Sequence, residues 1–194
     1  MRQAKPKKVS YELIEPTSEV GGPIYERMLR LIEQHHDELT DARIALAWNT
    51  AWKPDVDGRC KLGMCKKASD LDRELAAFDF VIILRREFWF HAQVNDNQRN
   101  ALLDHELMHA TVKLDSTGDP VHDERGRVIY RIRKHDIEEF GAIVARYGLY
   151  KRDLQWFVEQ VPKAGELEVT VVSAEADEAQ VPPVETAGAR AWWH

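Results

Sequence analysis

The chain has 194 residues, which is enough for one domain with a substantial hydrophobic core but not for two large ones. Its 44% hydrophobic and 31% charged residues are typical of a soluble globular protein, and the formal net charge of -6 argues against a general nucleic-acid binder. No apolar run approaches the roughly 18 residues of a membrane span, and no apolar segment of a secretory signal follows the basic start of the chain. Two cysteines are too few for a disulfide framework, so we expect the cytoplasm as compartment.

Helices and strands are predicted to alternate in the first half of the chain, from apolar spacing, β-branched runs and turn residues. In chain order we expect an edge strand at 9–14, a helix from 23 to about 38, a strand at 43–48, a turn-rich excursion at 53–67, a short helix or loop at 69–77, a strand at 78–84 and a helical turn at 85–91. The segment 78–84 is the clearest strand, because it is β-branched, aromatic and nearly continuous in apolar character.

The clearest helix is predicted at 95–113, where Asp96 or Asn97 can cap the first turn. Four apolar residues at helical spacing predict that one face of this helix is buried. These residues are Leu102, Leu103, Leu107 and Ala110.

Turn signals after this helix predict a hairpin or long loop at 115–132, followed by helices at 135–147 and 153–161. The sequence predicts three regions. They are an N-terminal tail with an edge strand at 1–20, one domain at 21–161 and a flexible C-terminal tail at 162–194.

The chemistry is indicated by the motif His105-Glu106-Leu107-Met108-His109. Histidines four residues apart stack on one face of a helix, so both imidazoles can bind one tetrahedral Zn²⁺. Glu106 points about 100° around the helix axis, where it can act as general base on a metal-activated water. The alternative is a surface helix with two unrelated histidines. We favour zinc, because a buried His pair and a buried Glu are costly unless they are paired or bind a metal.

A catalytic zinc needs a third protein ligand, and the segment after the predicted hairpin offers three candidates. His135 is favoured by its ligand chemistry and by its place at the start of the helix predicted at 135–147. Glu139 and Glu138 are the alternatives and would give a site of two histidines and one glutamate. If His135 is the ligand, Glu139 could instead accept a hydrogen bond from a ligand histidine.

These residues resemble a known family. The segment Asp104-His105-Glu106-Leu107-Met108-His109-Ala110, with His135-Asp136-Ile137-Glu138-Glu139-Phe140 after it, is similar to the phage metallopeptidases and, more distantly, to the SprT-like zincins. The resemblance covers about residues 20 to 150. It implies a metallopeptidase that acts on a peptide or protein substrate, encoded by a phage or prophage and active in the bacterial host.

We therefore expect an α+β, zincin-like fold, with a small twisted sheet, an active-site helix that carries the HExxH motif and a second, ligand-bearing helix. The predicted function is zinc-dependent hydrolysis of peptide bonds, with one catalytic Zn²⁺ and with Glu106 as general base. The alternative is a non-catalytic zinc domain that serves as a structural or partner-binding module.

Three other features are given simpler interpretations. Cys60 and Cys65 are expected to be ordinary thiols, since their spacing lacks the further cysteines or histidines of a metal site. The basic run from Arg125 to Lys134 could contact nucleic acid, but a solvated hairpin is favoured. Trp48, Asn49 and Trp52 could line a substrate cleft, with Trp48 expected in the core instead.

Overall fold

The computed structural model describes residues 10–56, 60–138 and 141–164. Four strands form the main sheet, in the order β1-β2-β4-β3. They are β1 (Tyr11–Leu13), β2 (Ile44–Asn49), β3 (Gly63–Lys67) and β4 (Phe80–Arg85). β2 and β4 run parallel, whereas β1 and β3 are antiparallel to their neighbours and form the two edges.

The register brings three strand ends together. Trp48 of β2 pairs with Leu84 of β4, and Leu84 also pairs with Gly63, the first residue of β3. The carboxyl ends of the two parallel strands therefore lie at the same end of the sheet as the start of β3. This end of the sheet carries the residues that surround the candidate site.

Four helices follow or precede these strands. They are α1 (Gly21–His35), α2 (Asp70–Leu75), α3 (Arg86–Trp89) and α4 (Asp96–His109). α1, α3 and α4 contribute residues to the core on the sheet, whereas α2 buries none of its residues. A capping box starts α4, since the Asn95 side chain accepts from the Gln98 backbone N–H and the Gln98 side chain accepts from that of Asn95, both at 2.9 Å.

The core lies between the sheet and the helices α1 and α4. Alternate residues of β4, Phe80, Ile82 and Leu84, have no exposed surface, and neither do Leu103 and Leu107 of α4. Such alternation is what a strand with one face on a core requires. The sheet thus holds α4, and with it the motif, in a fixed position.

The helix predicted at 95–113 is shorter in the structure. It ends at His109, and the chain continues directly into β5 (Ala110–Val112), which pairs antiparallel with β6 (Tyr130–Ile132). Thr111 and Val112 are β-branched and favour a strand once a partner strand is available. The segment between β5 and β6 is a hairpin-like loop, as predicted. The chain reverses at Gly118 and Gly126, whose φ angles are 92° and 75°.

The helix predicted at 135–147 is also wrong at its start. Residues 133–138 are irregular, and helix α5 comprises Gly141–Tyr147. The reason lies at Arg133, whose backbone N–H donates to the His109 carbonyl at 2.8 Å and so prolongs the extended path of β6. A final helix, α6, comprises Arg152–Ala164.

The described residues thus form a mixed α+β structure with six α-helices, a small four-stranded sheet and a two-stranded sheet. They divide into two compact units: the first ends at Arg133 and contains β1–β6 and α1–α4, and the second contains α5 and α6. None of the helices in these described ranges is long and apolar enough to cross a membrane.

Candidate metal centre

The last turn of α4 carries both histidines of the motif. The ring centroids of His105 and His109 lie 5.1 Å apart, with the ring planes at 81° to each other. His109 is half-buried, but His105 is exposed, so the expectation that both histidines are buried was wrong. An exposed His105 leaves one side of the pair open to an ion and to a substrate.

The orientation of the His109 ring is set by a backbone carbonyl. Nδ1 of His109 lies 2.7 Å from the carbonyl oxygen of Arg133. Because a carbonyl oxygen only accepts, Nδ1 must carry the proton, and the lone pair of the neutral ring is then on Nε2. A hydrogen bond from the far ring nitrogen to a carbonyl is a usual support of a metal-binding histidine.

Glu106 is the buried member of the motif, with only 3% of its surface exposed. Its carboxylate lies against the backbone of β3, where a Cβ added at Gly63 would overlap three of the Glu106 side-chain atoms. The Cys65 backbone provides a hydrogen bond to the same carboxylate. The other oxygen, Oε2, is buried and has no hydrogen-bond partner among the described residues.

Burial raises the pKa of Glu106 to about 7, although His109, the Cys65 backbone and the charge of Lys61 each act to lower it. The burial of the Cys65 thiol, together with the nearby charge of Glu106, raises the pKa of that thiol to about 12. Glu106 is thus a carboxyl group close to half-protonation at neutral pH, a state suited to both accepting and returning a proton.

The third candidate, His135, joins the pair. One ring nitrogen of each of His105, His109 and His135 lies within 4.8 Å of the others. His135 follows Arg133 by two residues, and Arg133 is held to His109 through both its N–H and its carbonyl. Of the two alternatives, Glu138 is exposed and does not belong to this group, and Glu139 lies outside the described residues.

The three imidazoles fit a metal ion. Neutral imidazole is a strong ligand for zinc, and three protein ligands with an open fourth position are typical of a catalytic zinc site. Next to His105 in the chain, Oε2 of Glu106 is a buried acceptor that has no hydrogen-bond partner among the described residues. The residues present are therefore those that a divalent metal ion requires.

Two residues that support the site were missed in the sequence. Arg133 orients His109 through its backbone carbonyl. Every residue has such a carbonyl, so the residue type at position 133 does not indicate this contact. Gly63 was interpreted as a turn residue, although a glycine at the start of a strand can mark a close approach of another group.

The aromatic and charged residues singled out in the sequence lie as follows. Trp48 is in the core, with its ring centroid 5.9 Å from that of Trp89, and Asn49 is buried. Trp52 is half-exposed. In the basic run, Arg125 and Arg127 both bind Glu74 at 2.5 Å, and this carboxylate neutralises part of the positive charge of the run.

The two cysteines form no disulfide, and neither belongs to the histidine group. Cys65 contributes to the site through its backbone rather than through its sulfur.

The sequence model of one family, described as "Putative phage metallopeptidase", matches residues 21–162. No curated protein and no solved structure matches the chain. The matched range contains the motif on α4, the edge strand β3 and His135.

Proposed function

Because the chain belongs to the phage metallopeptidase family, we propose that it is a zinc-dependent peptidase. Its catalytic ion is held by His105, His109 and His135. The observation that carries this proposal is the group of three imidazoles beside a buried glutamate with one unpartnered oxygen among the described residues. A bound Zn²⁺ supplies a water of lowered pKa and polarises the scissile carbonyl.

Each of the chain's own residues has a distinct part. The hydrogen bond from Nδ1 of His109 to Arg133 keeps Nε2 available as a ligand. Glu106 accepts a proton at Oε2 and later returns it to the leaving amine, because this oxygen has no other hydrogen-bond partner among the described residues. Its other oxygen is held by β3, so the base does not need to be ordered during the reaction.

We propose that the fold is zincin-like. The small sheet, the motif helix α4 packed on it and the edge strand β3 beside Glu106 support this assignment. An edge strand offers backbone groups to which an extended peptide can pair, and β3 is the edge nearest to the proposed base. A peptide bound there would lie close to the histidine group. The family's link to phages supports action in an infected bacterial cell.

A non-catalytic zinc domain is the second candidate. A structural zinc site is closed by four protein ligands, whereas the described residues gather three. A buried carboxylate with one oxygen lacking a described partner also has no purpose in a structural site and carries a cost in stability. Both observations favour the peptidase.

Removal and return of the metal test the proposal. We expect the purified full chain to hydrolyse an unstructured protein such as casein, to lose this activity with a chelator and to regain it with one equivalent of Zn²⁺. A double variant, His105→Ala with His109→Ala, is the control and should stay inactive when zinc is added. Activity that persists in the chelated protein, or in this variant, would contradict the assignment.

A further inference from the structure

A second group of side chains lies at the end of the sheet that carries Glu106. β2 and β4 end there and β3 begins there, so Trp52 shortly after β2 and Lys61 shortly before β3 flank the same region. Gly63, two residues after Lys61, contacts Glu106 directly. Lys61 is therefore two residues from the contact with the proposed catalytic base, and the Trp52 ring lies beside Lys61.

The position of Trp52 is fixed by the chain around it. Asn49 is 3% exposed, and its side-chain oxygen accepts from the backbone N–H of Ala51 at 2.8 Å and from that of Trp52 at 2.7 Å. This turn ties the chain after β2 to the buried end of the strand. The half-exposed Trp52 ring is thus presented by a fixed backbone.

Lys61 has an exposed ammonium group that makes two contacts with the described residues, and neither is with an anion. Its Nζ lies 5.7 Å from the centroid of the Trp52 ring and 3.7 Å from Sδ of Met64. No ion pair joins it to a carboxylate of the described residues. An ammonium held over an aromatic ring keeps its full charge for a further partner, and it loses less side-chain freedom when that partner binds.

The positive charge of Lys61 is a local feature in a chain whose formal net charge is -6. It lies near the site, since Gly63, two residues further along the chain, is directly against the Glu106 side chain. An anionic group bound between Lys61 and Trp52 would therefore lie next to the reaction centre rather than on a distant surface.

We propose that Trp52 and Lys61 form a substrate subsite that binds a carboxylate of the peptide, and this inference rests on the proposed peptidase function. The ammonium pairs with the carboxylate, and the indole ring packs on the carbon chain that carries it. The substrate class is thus a peptide with an acidic side chain, or with its free carboxyl terminus, close to the scissile bond.

Peptide binding tests the subsite without hydrolysis. The protein is the full-length Glu106→Gln variant with zinc, and affinities are measured by calorimetry at low salt. Three otherwise identical peptides distinguish the source of the carboxylate. One has a Glu and an amidated end, one has a Gln and an amidated end, and one has a Gln and a free carboxyl terminus.

We expect one of the two carboxylate peptides to bind more tightly than the neutral peptide, and Lys61→Met to reduce that affinity about three- to fivefold. The neutral peptide should bind this variant unchanged. Lys66→Met is the matched control. Lys66 is an exposed lysine of β3, on the face opposite Gly63 and Cys65, and its loss should change none of the three affinities.

Equal affinity for all three peptides, no binding at all, or an equal loss in Lys61→Met and Lys66→Met would each overturn the subsite. The proposed function fails separately. Casein hydrolysis by the wild type without any effect of Lys61 on peptide binding would refute the subsite alone. Carboxylate binding that needs Lys61, in a protein that hydrolyses nothing, would refute the peptidase alone.

Discussion

Glu106 combines two properties that oppose each other in a folded protein. It is buried against β3, which raises its pKa to about 7, and yet one of its oxygens has no hydrogen-bond partner among the described residues. A carboxyl group in such a place destabilises the fold when it is ionised, because burial penalises the charged form. Without metal, the side chain that we assign to catalysis should therefore carry a measurable cost in stability.

Glu106→Gln should stabilise the metal-free protein at alkaline pH. The folded-state pKa of about 7 lies above the usual value of 4.5, so the stability associated with Glu106 is fully present below about pH 4.5 and is lost as pH rises through 7. Gln cannot ionise. The variant should gain about 3 kcal/mol in free energy of unfolding at pH 8 and less than about 1 kcal/mol at pH 5, measured by urea denaturation in a chelator. Glu38→Gln, at an exposed residue, is the control, and an equal gain there would refute the explanation.

Gly63 is the residue that lets Glu106 approach β3. Gly63→Ala should displace the carboxylate, because the new Cβ overlaps it, and kcat should fall about tenfold to a hundredfold with little change in KM. Zinc content should stay at one equivalent. The matched control is Gly22→Ala in α1, where the added Cβ meets the Pro16 carbonyl oxygen at 3.4 Å. A Gly63→Ala enzyme with unchanged kcat would contradict the role of β3 in positioning the Glu106 carboxylate.

At the scale of elements, the sequence predicted the strands of the main sheet well where burial was strong. β4 was predicted at 78–84 and β2 at 43–48, each within two residues of its observed bounds, since a continuous apolar run leaves few alternatives. β3 was not predicted as a strand, because it lies within the segment 53–67 that was predicted as a turn-rich excursion. It is short, polar at its end and begins with a glycine, so only its pairing with β4 makes it a strand.

The two errors at helix ends have one cause. α4 ends at His109 because the next residues pair with β6, and residues 133–138 are irregular because Arg133 is tied to His109. Both depend on contacts between segments about 20 residues apart, which local periodicity does not record. That the two histidines of the motif share one face of a helix could be predicted, since it depends on the helix alone. The Arg133 carbonyl that orients His109 could not be predicted.

The irregular segment 133–138 is where the third ligand is tested. His135→Ala should lower the zinc content of the purified protein from one equivalent to well below one, measured by elemental analysis after dialysis against a weak chelator. Glu138→Ala should keep its zinc, because Glu138 does not belong to the histidine group. Glu139→Ala completes the comparison. If His135→Ala keeps its zinc and a glutamate variant loses it, the site has two histidines and one glutamate instead.

At the scale of the whole molecule, the charge gives no support for general nucleic-acid binding. The net charge is -6, and Arg125 and Arg127 of the basic run both pair with Glu74. Arg127 also binds Asp123 at 2.8 Å. The functional role that we propose for a positive charge is therefore at Lys61, near the proposed site, and not in the basic run.

Metal binding and hydrolysis are assigned to different residues of the motif, and Glu106→Gln separates the two properties. The most direct measurement is the casein-hydrolysis rate of the zinc-loaded variant beside the wild type, with zinc content determined on the same samples. We expect one equivalent of zinc in both and a rate lowered by at least about a hundredfold in the variant, since the histidines remain and the base is lost. A Glu106→Gln protein that holds zinc and hydrolyses casein at the wild-type rate would contradict the assignment of Glu106 as general base.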